Sequence, residues 1–358
     1  VQDAIARVAR SNNYHPQFGR ETETFEQAFA AYHGVKHAAG VGSGTLALQL
    51  AMAAAGLECG DEVIVPAYTY VASAAAAVEQ NAVPVFVDSE PQSQGLDPGD
   101  VRRKITARTR AIVAVHANGY PCDMDGVMQI AREHRLIVIE DCSHAHGAEH
   151  RGRKVGTIGH LGAFSLQQKK NLSAGVGGAV ITNDDEMARR LRTWRTYGWE
   201  RVGHNWLMSE FHAAIAAAQL PALDAMNECR RENVVTLLAA LGAVQGIVPL
   251  PGWPDTQPVY YNLILQYNEA AVGASRRAFV AALRAEGVPI SMFYVPLQRW
   301  PIFAAADFYG RGCPLACPKR EGGAAEMRHT AEAIGKIIAN QGELKDVQQG
   351  IQEGRIKG

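Results

Sequence analysis

The stretch Gly162-Ala163-Phe164-Ser165-Leu166-Gln167-Gln168-Lys169-Lys170-Asn171-Leu172-Ser173-Ala174-Gly175-Val176-Gly177-Gly178-Ala179 decides how this chain is read. Its first residues form a short apolar strand that delivers Ser165, and a loop then presents two lysines. A cluster of glycines follows, which lets backbone pack tightly before another strand at Ala179-Val180-Ile181-Thr182. Lysine between apolar strands is poorly explained by surface solvation. In an enclosed site, close to other cationic groups, a lysine can lose its proton and attack an aldehyde carbon. On these grounds either Lys169 or Lys170 can serve.

Outward from this segment, the runs over 62–66, 83–88, 111–115 and 136–141 are short, apolar and end in a polar or turn residue, as buried strands do. Between them the pattern predicts helices over 45–55, 73–80, 98–105 and 124–134, with lengths that suit crossover connections. The fold class expected is α/β, with a mostly parallel sheet between helices. In such sheets ligands bind beyond the carboxyl ends of the strands, so residues 68–70, 116–118 and 141–144 are the ones to watch. Past Ser209 the texture changes to Ala- and Leu-rich helical stretches reaching Gly242, then Gly and Pro punctuation through Pro254. Strands are expected over 260–266 and 290–294, and helices over 276–286 and 326–339. The chain therefore divides into a large domain over 1–240 and a smaller C-terminal α/β domain over 241–358.

With 358 residues, 47% hydrophobic and 20% charged, the chain can bury a substantial core. Its 35 basic and 36 acidic residues give a formal net charge of -1, which offers no attraction for nucleic acid or an anionic membrane. Small molecules and further copies of itself are the expected partners. No apolar stretch approaches the roughly 18 residues of a membrane span, and no basic-then-apolar leader opens the chain, whose start at Val1 reads as internal. The six cysteines, Cys59, Cys122, Cys142, Cys229, Cys313 and Cys317, are scattered, unlike a secreted disulfide framework, so a reducing cytoplasm is the expected compartment. Cys313 and Cys317 lack a second pair at finger-like spacing, and no metal site is expected.

Three further positions carry chemistry. Ser43-Gly44-Thr45 follows an apolar run and opens a helix, where free amides beside a hydroxyl can bind phosphate or simply cap the helix. Asp141 ends a buried strand. A carboxylate there can hold the protonated pyridine nitrogen that pyridoxal phosphate (PLP) chemistry requires, or stand as an ordinary strand-end acid. His144, three residues on, is placed to reach a ring hydroxyl, while His146 is expected only to pack.

In combination, Ser43-Gly44-Thr45, Pro66-Ala67-Tyr68-Thr69-Tyr70, Glu140-Asp141 with His144, and Ser165 five before Lys170 resemble the DegT/DnrJ/EryC1/StrS sugar aminotransferases, PLP enzymes of the aspartate-aminotransferase fold (fold type I). The likeness runs from about Phe25 to Ile215 and more weakly beyond. Its spacing selects Lys170 over Lys169 as the lysine that carries PLP as a Schiff base. The resemblance further implies that Gly44, Thr45 and Ser165 hold the phosphate, Tyr70 stacks on the ring, Asp141 pairs with the pyridine nitrogen and His144 stands beside the ring oxygen. Asn205 matches an asparagine given to the neighbouring subunit's phosphate site, which implies a homodimer with shared active sites.

The implied reaction is transamination from glutamate or glutamine to a keto-sugar or keto-cyclitol. The segments 141–147 and 164–168 look more like the branch that aminates keto-cyclitols for aminoglycoside-type pathways. Val176 replaces the usual acid of the glycine turn, and Leu207 replaces an arginine that often follows the Asn-aromatic pair, which removes a charge-assisted partner for a donor carboxylate. The stretch 197–205 is shorter than the family's usual loop, and 318–324 lacks an apolar strand expected before the final helix. Rival readings are a PLP-dependent sugar dehydratase, whose known members carry histidine in place of the lysine, and a catalytically idle PLP-fold scaffold or regulator. A doubly wound nucleotide-binding protein would need a Gly-x-Gly-x-x-Gly or Walker lysine that this sequence lacks.

Overall fold

A computed structural model of the chain describes residues 1–197, 202–242, 244–292, 294–304 and 330–331. Two helices, α1 (Gln2–Ser11) and α2 (Glu21–His33), precede the first strand, β1 (His37–Val41). Helix α3 (Gly44–Ala54), β2 (Glu62–Pro66), α4 (Ala72–Glu79), β3 (Val83–Val87), α5 (Pro98–Lys104), β4 (Thr109–Val115), α6 (Met124–His134) and β5 (Ile137–Asp141) then alternate. A small hairpin, β6 (Glu149–His150) and β7 (Arg153–Lys154), leads to β8 (Leu161–Ser165), β9 (Gly178–Thr182) and α7 (Asp185–Arg195).

These strands make a seven-stranded sheet in the order β1-β9-β8-β5-β4-β2-β3. Only β9 runs against the others, pairing antiparallel with β1 and β8. The expected mostly parallel sheet is formed. Its strands are apolar over most of their length, with polar residues mainly toward their ends, because helices cover both faces, and alternate residues feed two cores. Val63, Val65, Val113 and Ile139 join Leu48 and Ala51 of α3 on one side. Ile64, Ile112 and Val138 join Val127 and Ile130 of α6 on the other.

Beyond the sheet, α8 (Glu210–Gln219) and the long α9 (Leu223–Leu241) precede β10 (Ile247–Pro249), β11 (Thr256–Gln257), β12 (Leu265–Tyr267), α10 (Glu269–Val272) and α11 (Arg276–Ala285). A separate apolar cluster of Ile247, Leu265, Tyr267, Phe279 and Leu283 forms here, with Leu238 and Leu241 of α9 packed against it. Helix α12 (Pro301–Ala304) returns Phe303 to the core around Leu48.

Three C-terminal expectations differ. The strand expected over 260–266 begins only at Leu265, because Tyr260 has a left-handed φ of 46° and the preceding backbone is taken by another partner. Val259 N–H donates to Gly119 O and Asn262 N–H to Asn118 O, so this segment is tied to the turn after β4 and not to a sheet. Over 290–294, Ile290 and Tyr294 lie in irregular backbone, and Tyr294 is held by ring contacts to Tyr68 and Tyr70. Within the helix expected over 326–339, Thr330–Ala331 instead form a strand, β13, whose backbone completes the open edge of β12. The remainder of 326–339, with Cys313, Cys317 and the 318–324 stretch, lies outside the described residues. Among the described residues no helix is long and apolar enough to cross a membrane.

Candidate active site

The carboxyl ends of β2, β4, β5 and β8 and the start of α3 surround a cavity of about 360 Å³, lined among others by Gly44, Thr45, Tyr70, Asp141, His144, Ser165 and Lys170. Seven of the eight residues singled out in the sequence therefore meet in one place. Asn205 does not line it. That residue is exposed, bridges Thr196, and lies next to Trp206, whose carbonyl accepts from Gly42 N–H at the outer edge of β1.

The floor is set by a close approach between α3 and β8. Ser43 caps α3, its Oγ accepting from Leu46 N–H at 3.1 Å. A helix start offers amides without intrahelical partners, suited to an anion. A Cβ on Gly44 would lie 2.4 Å from Ser165 Cβ, so only glycine lets the helix start come this near the serine. Ser165 itself is buried.

Lys170 is brought in by its neighbour. Asn171 is buried and its Nδ2 donates to Asn227 Oδ1 and Val259 O, both at 3.2 Å, which pins the loop. Lys169 is exposed and lies outside the cavity lining, whereas Lys170 turns inward. Burial pushes the Lys170 amine down to about 8, against an opposing pull from the Asp141 charge. An appreciable fraction of the amine is then neutral near neutral pH, which the lysine reading requires.

Asp141, at the end of β5, is buried and takes hydrogen bonds from neutral groups, the Ser73 hydroxyl to Oδ2 at 2.8 Å and Ser143 N–H to Oδ1 at 3.1 Å. His144 accepts from Asn118 N–H through Nδ1 at 3.3 Å. A backbone amide can only donate, so Nδ1 carries no proton. Burial, then the nearby Lys170 and His146, push His144 well below its ordinary value, so the neutral ring carries its hydrogen on Nε2 as a donor. Tyr70 stands at the rim, 57% exposed.

Ser73, Gln167, Tyr261 and Tyr294 also belong to the lining or its support, and sequence reasoning gave them no role in the site. Ser73 is four residues after Thr69 on a helix start, a spacing that could have drawn attention to it. Tyr261 and Tyr294 come from distant segments with no local signal.

Behind the cavity wall, to which His116 itself contributes, His116, Glu140 and Cys142 are buried with ligand atoms within 4.8 Å of one another. Their hydrogen bonds close this cluster without a metal. Glu140 pairs with His116 Nε2 at 2.9 Å and accepts from the amides of Gly156, Ile158 and Gly159. His116 Nδ1 in turn accepts from Cys122 N–H at 3.2 Å. Burial pushes Glu140 upward, yet its hydrogen bond to His116 and those amides outweigh that and hold it below the ordinary carboxylate value. Burial also keeps the Cys142 thiol protonated.

A family model described as the DegT/DnrJ/EryC1/StrS aminotransferase family matches residues 1–318. An L-glutamine:2-deoxy-scyllo-inosose aminotransferase of Streptoalloteichus tenebrarius is 42% identical over 331 residues, covering 85% of this chain and 78% of that protein. A dTDP-3-amino-3,4,6-trideoxy-alpha-D-glucose transaminase of Streptomyces venezuelae is 40% identical over 310 residues, covering 84% and 79%. Among solved structures, S. venezuelae DesV in complex with ketimine intermediate is similar with a TM-score of 0.82 at 35% identity, covering 100% of this chain and 94% of that one.

Proposed function

The chain belongs to the DegT/DnrJ/EryC1/StrS aminotransferase family, whose members are PLP-dependent, and from that premise we propose that it moves an amino group from glutamine or glutamate to the ketone of a cyclitol. The observation that carries the reading is the Lys170 amine and the buried Asp141 carboxylate in one cavity, with a helix start opposite. These residues fit PLP. The cradle at Ser43, Gly44, Thr45 and Ser165 would take its phosphate, and a Cβ at Gly44 would fill that cradle. Asp141, bonded only to neutral donors in the contacts above, would face the pyridine nitrogen, and the Nε2–H of His144 would donate to the ring oxygen.

When bound, PLP supplies an electron sink for the pair left on carbon when a proton is removed. Lys170 supplies the base: a largely buried, partly neutral amine can take a proton from the donor carbon and return it to a neighbouring atom. Asp141 would keep the nitrogen of a bound ring protonated. His144, neutral and fixed by Asn118, orients without competing for the proton.

Glutamine and an inosose are the substrates named for the Streptoalloteichus relative, which supports the cyclitol over other rings. A nucleotide-linked keto-sugar is the second reading, favoured by the S. venezuelae relative. The exposed position of Asn205 at the sheet edge supports its reaching a partner subunit in a homodimer. The separate cluster around Phe279 supports a small domain beginning near residue 241. A donor and acceptor screen tests the function, with the cofactor spectrum as readout. Glutamine should convert the PLP form to the amine form, and a keto-cyclitol should restore it. If neither glutamine nor glutamate changes the spectrum, ordinary transamination is wrong.

A further inference from the structure

Tyr261 occupies a position that the lysine and histidine assignments do not explain. Its ring lies parallel to the His144 imidazole, with centroids 4.1 Å apart and planes 7° apart. The same ring has the Lys170 Nζ over it, 4.7 Å from its centroid. One aromatic side chain thus touches both the amine and the imidazole of the site.

The ring is held there by an unusual piece of backbone. Asn118 has a left-handed φ of 57° and Gly119 a φ of 90°. A Cβ at Gly119 would lie 2.7 Å from Tyr261 N, 3.0 Å from Tyr260 N and 3.0 Å from His144 O, so three segments converge where only glycine fits. Asn118 donates its amide to His144, accepts from Asn262 N–H through its carbonyl, and receives Asn262 Nδ2 on Oδ1 at 3.0 Å. The turn after β4 therefore sets His144 and Tyr261 relative to each other. Left-handed backbone at a non-glycine residue persists only where its surroundings enforce it, and it is enforced here.

We propose that Tyr261 is a positioning residue for the transamination: its π face holds the Lys170 ammonium inside the cavity and stacks His144 in place, so that a free amine stays in register with the reacting carbons. The proposal rests on Lys170 as the cofactor lysine. A cation over an aromatic face is stabilised in its charged form. The ring therefore raises the Lys170 pKa, in opposition to burial and in concert with Asp141. Removing the ring lowers the midpoint at which the amine becomes nucleophilic. Among the described residues the other titratable groups lining the cavity are His116, Asp141, His144, Tyr70 and Tyr294, with His146 close enough to feel the Lys170 charge, and all remain in the variants below.

The test compares wild type with Tyr261→Phe, Tyr261→Leu and Tyr261→Met. Each apoprotein is labelled with a trace amine acylating reagent across pH 6–10, and Lys170 acylation is read by peptide mass spectrometry. Tyr261→Phe should keep the wild-type midpoint and a kcat within about threefold, because the face and not the hydroxyl is used. Tyr261→Leu and Tyr261→Met should move the midpoint down by about half to one pH unit, the size of a cation–π contact at a partly buried site. Both should lower kcat about tenfold with KM for the donor little changed, the pattern of a lost positioning contact. Methionine keeps bulk without a π face, so it serves if the leucine variant does not fold. Coincident Lys170 profiles in wild type and the non-aromatic variants would overturn the proposal, as would a phenylalanine variant as impaired as leucine. Borohydride fixation of PLP in the same proteins separates the two levels. Attachment at Lys170 with unshifted profiles sinks only the role of Tyr261, whereas attachment elsewhere sinks the lysine assignment itself.

Discussion

The Ser73 hydroxyl donates a 2.8 Å hydrogen bond to Asp141 Oδ2, and its oxygen lies 2.9 Å from Thr69 Oγ1. Both serine and carboxylate are buried, so the bond is shielded from water and fixes which way the carboxylate faces. A hydrogen bond to a charged group of this kind is worth about 1.5–3 kcal/mol. Ser73→Ala should therefore lower kcat about tenfold with the cofactor still bound, and Asp141→Ala about 10²–10³-fold. Steady-state kinetics beside a cofactor titration separate the two. A Ser73→Ala enzyme with unchanged kcat would mean that the carboxylate needs no orientation from α4.

Gly44→Ala addresses the proposed phosphate cradle. The added methyl would stand 2.4 Å from Ser165 Cβ and 3.0 Å from Ser165 Cα, and backbone cannot yield as a side-chain tip can. Overpacking of this sort costs about 1–3 kcal/mol. PLP affinity, measured by fluorescence titration of the apoprotein, should weaken about tenfold to a hundredfold. Retention of wild-type affinity would remove the helix start from the phosphate site.

The buried Glu140 is structural. It receives His116 and three backbone amides, so Glu140→Ala leaves the buried His116 and Gly156 donors, and the half-buried Ile158 and Gly159 amides, without this acceptor. Loss of one side of a buried pair destabilises by about 3–5 kcal/mol. Urea denaturation should show a fall of that order, and added zinc should not restore the variant.

Acid stability follows from two buried histidines. Burial pushes His33 down to about 4, and burial together with the Lys170 charge pushes His146 down to about 3. Both are neutral when folded and take up protons when unfolded below about pH 6.5, so the unfolded state binds more protons in that range. Their stabilising contribution is fully present above pH 6.5 and is lost as pH falls toward about 4 for His33 and about 3 for His146. Stability should drop by about 1–2 kcal/mol per histidine between pH 6.5 and 5. His146→Leu should flatten this slope in denaturant melts at a series of pH values.

The parallel sheet and its crossover helices were legible because burial on both faces leaves continuous apolar runs. Glu62–Pro66 and Met124–His134 have the bounds that the sequence suggests. The site was legible wherever a strand end carried its residue, as with Asp141 and Ser165. Lys169 and Lys170 could not be separated by chemistry alone. The buried Asn171, anchored to Asn227 and Val259, is what turns Lys170 inward. Tyr261 was hidden because its place depends on a long-range contact with the 118–119 turn, and the strand signal over 260–266 masked that contact. Positions fixed by segments more than a hundred residues away leave no local pattern to read.

The central claim is that Lys170 is the lysine that holds PLP, and borohydride reduction of the yellow holoenzyme followed by peptide mapping tests it most directly. The account predicts that the pyridoxyl mass falls on the peptide containing Lys170, with Lys169 unmodified, and that Lys170→Ala protein is colourless after the same treatment. Attachment to Lys169 or any other lysine would contradict it.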